Sequence, residues 1–144
     1  MAKYRMIPDK KVLDVMSMKV ESVSEDDSIG KAMEILDEKD YNSLPVTREG
    51  MLVGMITKLE VLKAISNANT KLHPGPLDLD NETVMDYMRQ ATVSVRPDDE
   101  LKAAASYMVE FRLRALPVVR AGKLVGILSE GDIMKSLVTD DSNK

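Results

Sequence analysis

Twice in this chain a hydroxyl and a carboxylate stand three residues apart, shortly after a glycine. The runs are Gly126-Ile127-Leu128-Ser129-Glu130-Gly131-Asp132 and Gly54-Met55-Ile56-Thr57-Lys58-Leu59-Glu60. At the start of a helix such a pair has two uses. A short carboxylate in the first turn can take two hydrogen-bond donors from a ligand, beside a helix N-terminus that favours an anion. The same pair can turn inward as a capping box, each side chain serving the other residue's backbone N–H. The two uses are compatible, and the residues alone leave both open.

Constellations for catalysis are missing. The single histidine, His73, sits against Pro74-Gly75-Pro76 and reads as a solvated loop residue. No Gly-x-Ser-x-Gly elbow, phosphate-binding loop or two-histidine metal spacing occurs. With no cysteine, disulfides, thiolate zinc sites and a cysteine nucleophile are excluded. No catalytic or metal-binding residue is therefore predicted, and the chain does not read as an enzyme.

The elements that must position these groups belong to a chain of 144 residues, 44% hydrophobic, 31% charged and 3% aromatic. With one Phe and no Trp, the core is expected to be aliphatic, helped by the eleven Met. The formal net charge of −4 and the scarcity of aromatic stacking platforms argue against nucleic acid. The N-terminal run MAKYRMIPDKK has no apolar core of a signal peptide, and nothing approaches the roughly 20 apolar residues that cross a bilayer. A cytoplasmic protein without a membrane partner is expected.

Sliding the chain against itself by 72 residues lays Val12–Ile65 on Val84–Leu137 without a gap, and 18 of the 54 pairs are identical. Leu44-Pro45-Val46 falls on Leu116-Pro117-Val118, and Leu52-Val53-Gly54 on Leu124-Val125-Gly126. This is a duplication. The expected domains are residues 8–66 and 84–138, joined by an Asn-, Pro- and Gly-rich linker at 67–83, with a frayed tail from Thr139.

Each repeat reads as strand, helix, strand, strand, helix. Ser22-Val23 and Val93-Ser94-Val95 are short strand candidates. The acidic turns Glu25-Asp26-Asp27 and Pro97-Asp98-Asp99 suit helix starts. Ile29, Ala32, Met33 and Leu36, then Leu101, Ala104, Ala105 and Met108, mark the buried helix faces. Leu44–Thr47 and Leu52–Thr57 form a hairpin through a four-residue connection containing Gly50, and the second repeat does the same through Gly122. Lys58–Ile65 and Glu130–Val138 close the repeats as helices. About 55 residues bury little surface alone, so an α+β fold with two βαββα units packed by pseudo-twofold symmetry around one shared core is expected.

The runs SLPVTREGMLVGMITKLEVL and ALPVVRAGKLVGILSEGDIM resemble the CBS domain signature, in which Leu-Pro-Val opens a hairpin and Gly-x-x-Thr/Ser-x-x-Asp leads into the last helix. The likeness, twice at constant spacing, is to a stand-alone tandem CBS pair. It implies a regulatory module that takes AMP, ADP, ATP or S-adenosylmethionine in clefts between the repeats, as a regulatory ligand rather than an obligatory cofactor. It further implies a homodimer through the helices and an effector protein yet to be identified.

Carried over by the resemblance, Asp132 would accept the two ribose hydroxyls and Ser129 would meet phosphate or ribose. Arg114, just before Ala115, would face phosphates, and Thr92 and Val93 would hold the adenine. Taken alone, Val93 better suits a place in the core and Met88 ordinary packing, while Arg114 suits a solvated surface as well as a ligand. The weaker second site comprises Asn42, Ser43, Thr57 and Glu60. Glu60 departs from the pattern: its extra methylene moves the carboxylate by about 1.5 Å. Capping is the favoured reading for Thr57/Glu60 and ligand contact for Ser129/Asp132. Repeat charges of −5 for Val12–Ile65 and +1 for Val84–Leu137 point the same way. Two rivals stand beside this reading: a ligand-free dimer acting as an interaction scaffold, and a nucleic-acid binder using Arg89, Arg96, Arg112 and Arg114.

Overall fold

The computed structural model describes residues 3, 4, 6–69, 78–90 and 92–139. In chain order these form β1 (Lys3–Tyr4), a 3₁₀ turn (Val12–Asp14), β2 (Val23–Ser24), α1 (Ile29–Glu38), β3 (Ser43–Arg48), β4 (Met51–Thr57) and α2 (Lys58–Asn69). There follow α3 (Val84–Tyr87), α4 (Leu101–Phe111), β5 (Ala115–Arg120), β6 (Lys123–Ser129), α5 (Glu130–Ser136) and β7 (Val138–Thr139). The architecture is α+β, one helix–hairpin–helix plan made twice; β2 precedes it in the first repeat, whereas the strand expected at Val93-Ser94-Val95 is reduced to a single parallel bridge between Val95 and Val118. No helix among the described residues is long and apolar enough to cross a membrane.

Both hairpins turn in two residues, not the expected four. Glu49 and Gly50 (φ 52° and 82°) and Ala121 and Gly122 (φ 51° and 81°) are consecutive left-handed residues, the type I′ geometry that matches strand twist. Pairing therefore runs up to the turn, Arg48 against Met51 and Arg120 against Lys123.

The chain divides into two compact units whose borders fall inside the repeats. A continuous unit spans Glu21–Thr92, and a split unit joins Met1–Val20 to Val93–Lys144. Reciprocal backbone bonds explain the division. In the split unit Ser17 N–H donates to the Ile127 carbonyl (2.9 Å) and Ile127 N–H to that of Ser17 (3.0 Å). In the continuous unit Arg89 and Met55 exchange the same two bonds, at 2.8 and 3.0 Å. A Cβ on Gly126 would lie 2.6 Å from Met16 Sδ, and one on Gly54 2.7 Å from the Arg89 carbonyl oxygen. The motif glycines are thus the openings through which these segments approach the strands. The segment that begins each repeat packs with the hairpin of the other repeat.

Each unit consequently has its own buried cluster, where the sequence predicted one shared core. Ile29, Leu36, Leu44, Ile56 and Val84 close the continuous unit. Val12, Leu101, Leu116, Leu128 and Ile133 close the split unit. Val84 and Val12 are the contributions of the incoming segments, both fully buried.

Asp27 and Asp99 do not cap helices. The N-cap falls one residue later, at Ser28 and Glu100, so each Asp lies outside its helix and accepts instead from Ser24 N–H and Arg96 N–H, both at 2.8 Å. Met33 is not on the buried face but 39% exposed, and most described Met lie outside the core, Met55 and Met108 excepted. The last helix ends at Ser136, and Val138–Thr139 pairs antiparallel with Lys3–Tyr4 instead of starting a tail. Within the expected linker, α2 continues to Asn69, and Leu79 and Glu82 are buried where Glu82 receives Ile29 N–H (2.8 Å). His73 and Pro74-Gly75-Pro76 lie outside the described residues.

Candidate ligand-binding site

In the split unit the antiparallel register sets Ala115 opposite Ser129. One residue further, Glu130 N–H donates to the Arg114 carbonyl (2.9 Å), so the exit of β6 into α5 lies against the entry of β5. Val95 pairs in parallel with Val118. Val93, two residues upstream on the Leu116 side, is half-buried against the core cluster. The fold thus gathers Val93, Arg114, Ala115, Ser129 and Asp132 at one end of one hairpin. Thr92 is the last residue of the continuous unit, directly before Val93.

Ser129 is the N-cap of α5. Its hydroxyl accepts from Asp132 N–H (3.1 Å), and Asp132 Oδ2 accepts from Ser129 N–H (2.9 Å), a complete capping box. Asp132 is half-buried, and its Oδ1 accepts from no donor among the described residues. Oδ1 keeps two lone pairs and Oδ2 one, enough for a ligand's hydroxyls. Capping and ligand contact coexist here.

The continuous unit gathers the equivalent residues but uses them differently. Ser43 lies opposite Thr57, and Lys58 N–H donates to the Asn42 carbonyl (3.1 Å). Glu60 is 1% exposed. Its Oε2 accepts from both the backbone N–H (3.1 Å) and the hydroxyl of Thr57, while the Thr57 oxygen accepts from Leu59 N–H (3.2 Å), not from Glu60 as a reciprocal box would require. Its Oε1 accepts from Arg89 Nε. The extra methylene lets one carboxylate cap the helix and reach the guanidinium. Oε2 is filled, and the one lone pair left on Oε1 lies on a side chain that is buried beside Arg89, out of a ligand's reach.

Arg89 was not read from the sequence as a partner of Glu60. The signal is in the repeat alignment: 72 residues earlier stands Ser17, so Glu60 with Arg89 replaces Asp132 with Ser17. A second pair follows the same logic. Arg48 binds Glu25 through two guanidinium nitrogens, one at 2.8 Å, and holds its carboxyl below the usual glutamate range despite the cost of burial. The repeat counterpart of Glu25 is the buried Pro97. Counted by unit rather than by repeat, formal charge is −7 for Glu21–Thr92 and +3 for the split unit. An anionic group is better placed in the latter.

The sequence profile of the CBS domain matches residues 12–67 and 84–139. The protein MJ1404 of Methanocaldococcus jannaschii is 31% identical over 140 residues, 93% of this chain, and the chain spans 33% of that protein's length. The crystal structure of CBSX2 in complex with AMP superposes with a TM-score of 0.74 at 30% identity, over 88% of this chain and 94% of that one. The CBS domain pair of MJ0100, in complex with 5′-methylthioadenosine and S-adenosyl-L-methionine, gives 0.72 at 26% identity, over 88% and 98%.

Proposed function

The chain belongs to the CBS domain family, and from that premise we propose that it is a regulatory module that binds an adenosine-containing ligand at the Ser129–Asp132 end of its split unit. One observation carries this: among the described residues Asp132 keeps one carboxylate oxygen without a donor, while both oxygens of its counterpart Glu60 have partners and the side chain is buried. Asp132 accepts sugar hydroxyls, Ser129 and Arg114 lie on the phosphate or tail side, and Thr92 and Val93 flank the base. AMP, ADP, ATP and S-adenosylmethionine all carry the adenosine this arrangement reads. The adenosine compounds held by CBSX2 and the MJ0100 pair support the class. The role is regulatory rather than catalytic, in a cytoplasmic homodimer formed through helices and read by an effector protein. The second site, at Asn42, Ser43, Thr57 and Glu60, stays unused.

Thermal unfolding with and without millimolar AMP, ATP or S-adenosylmethionine tests this. A ligand at 100 times its Kd stabilises by about 2.7 kcal/mol. We expect a shift for the native chain and for Glu60→Gln, and loss of most affinity in Asp132→Ala. Equal losses in the two variants would show that the wrong end was chosen. No shift with any adenosine compound would leave the scaffold reading instead.

A further inference from the structure

We propose that the groove between α4 and α5 of the split unit receives the α1–α2 face of the continuous unit of a second copy, so that copies pair unlike to unlike. This rests on the reading of a homodimer through helices and says which faces meet.

The groove has a volume of about 450 Å³, with Ala105, Met108 and Ile133 on its floor and Val109 and Met134 on its walls. Val109 is 80% and Met134 63% exposed, an apolar surface that a monomer has no use for. Comparing residues 72 positions apart shows what fits it. Where the split unit has Ala105 and Gly131, the continuous unit has Met33 and Leu59, 39% and 49% exposed. One face is hollow where the other projects.

Charge follows the same rule. Arg112 and Glu130 line the groove. Their counterparts are Asp40 and Lys58, opposite in sign at both positions. Arg112 and Asp40 occupy the same left-handed helix end, each with φ 55°. Lys58 and Asp40 approach only to 4.0 Å, with the Asp40 side chain 99% exposed, so neither is committed within its own unit. Like-to-like contact would set Arg112 against Arg112 and Met33 against Met33. Unlike contact sets Arg112 against Asp40, Glu130 against Lys58, and the projections into the hollow. The net charges of +3 and −7 favour the same pairing.

Sedimentation velocity on the full chain tests it with Arg112→Asp and Asp40→Arg. Each variant alone should dimerise about tenfold more weakly or worse, because both contacts become like-charged. An equimolar mixture of the two should regain native affinity, since every contact is again of opposite sign. Glu130→Lys and Lys58→Glu form a second set with the same expectation. Because the chain has no cysteine, oxidative cross-linking is a separate readout at Met134 and its counterpart 72 residues earlier, Leu62 of α2, which is 59% exposed. Met134→Cys or Leu62→Cys alone should stay uncross-linked, and their mixture should form a disulfide dimer. Variants that dimerise like the native chain, single cysteines that self-link, or a mixture that does not recover would each overturn unlike pairing. A native chain that is monomeric would instead overturn the homodimer reading itself.

Discussion

Glu60 and Asp132 occupy one place in two repeats and have opposite surroundings. Arg89 meets Glu60, whereas Ser17 stands where a cation would meet Asp132. Two consequences follow. Arg89→Ala leaves a carboxylate that is 1% exposed without its cation, and removing one partner of such a pair costs about 3 kcal/mol, to be read as a lower urea midpoint. Ser17→Arg should recreate the pair in the split unit and occupy Asp132. Adenosine affinity should then fall by about tenfold or more while the melting temperature without ligand does not fall, and unchanged affinity would show that the two positions are not equivalent. The other pair, a buried Glu25 with an exposed Arg48, predicts a pH dependence. Arg48 lowers the folded-state pKa of Glu25, so its stabilisation is complete above the unfolded glutamate value of about 4.3 and is lost as pH falls through the lower folded value. Arg48→Met should therefore weaken the fold near neutrality and flatten the acid limb of a stability–pH curve measured by denaturant unfolding.

Helices and hairpins are where the sequence was most informative, because period and turn chemistry act locally. The repeated Leu-Pro-Val and Leu-Val-Gly runs, the apolar spacing of Ile29, Ala32 and Leu36, and the capping by Ser129 and Asp132 can all be read within a few residues. What could not be read depends on distant chain. Asp27 reaches back to Ser24 because the cap falls at Ser28, and Met33 projects because no element of its own unit covers it. The candidate site divides in the same way: the box at its base is local, while the partner that closes Glu60 arrives from 29 residues away. The tight turns offer a test at this scale. Ala121 holds φ 51° at the first turn position, a conformation that costs a non-glycine residue about 1–2 kcal/mol. Asn tolerates it better, so Ala121→Asn should raise stability by about 0.5–1 kcal/mol and Ala121→Val should lower it. Equal effects of the two on the unfolding midpoint would contradict the type I′ assignment.

On the scale of the whole molecule, the duplicated repeats are units of sequence, while packing is organised by an exchange of opening segments. Val12 is fully buried with Leu101, Leu116 and Leu128, and the chain around it is fixed by Val12 N–H to the Asp99 carbonyl (2.9 Å) and Leu101 N–H to that of Lys10 (2.9 Å). Burying a valine contributes roughly 1.5–3 kcal/mol, and Met16 fills the space that Gly126 leaves. Marginally stable units tolerate few losses of this size. Deleting residues 1–20 should therefore damage the second repeat rather than the first, although it removes part of the first repeat's sequence. In hydrogen exchange on the truncated chain, the amides of Leu116 and Leu128 should lose protection while those of Leu44 and Ile56 keep it, since their cluster draws its incoming valine from Val84 instead. Adenosine binding at the proposed site, on β5, β6 and α5, should fail with the same deletion. Protection lost first at Leu44 and Ile56 would mean that each repeat folds with its own opening segment, and the exchange would then be no part of what holds the units together.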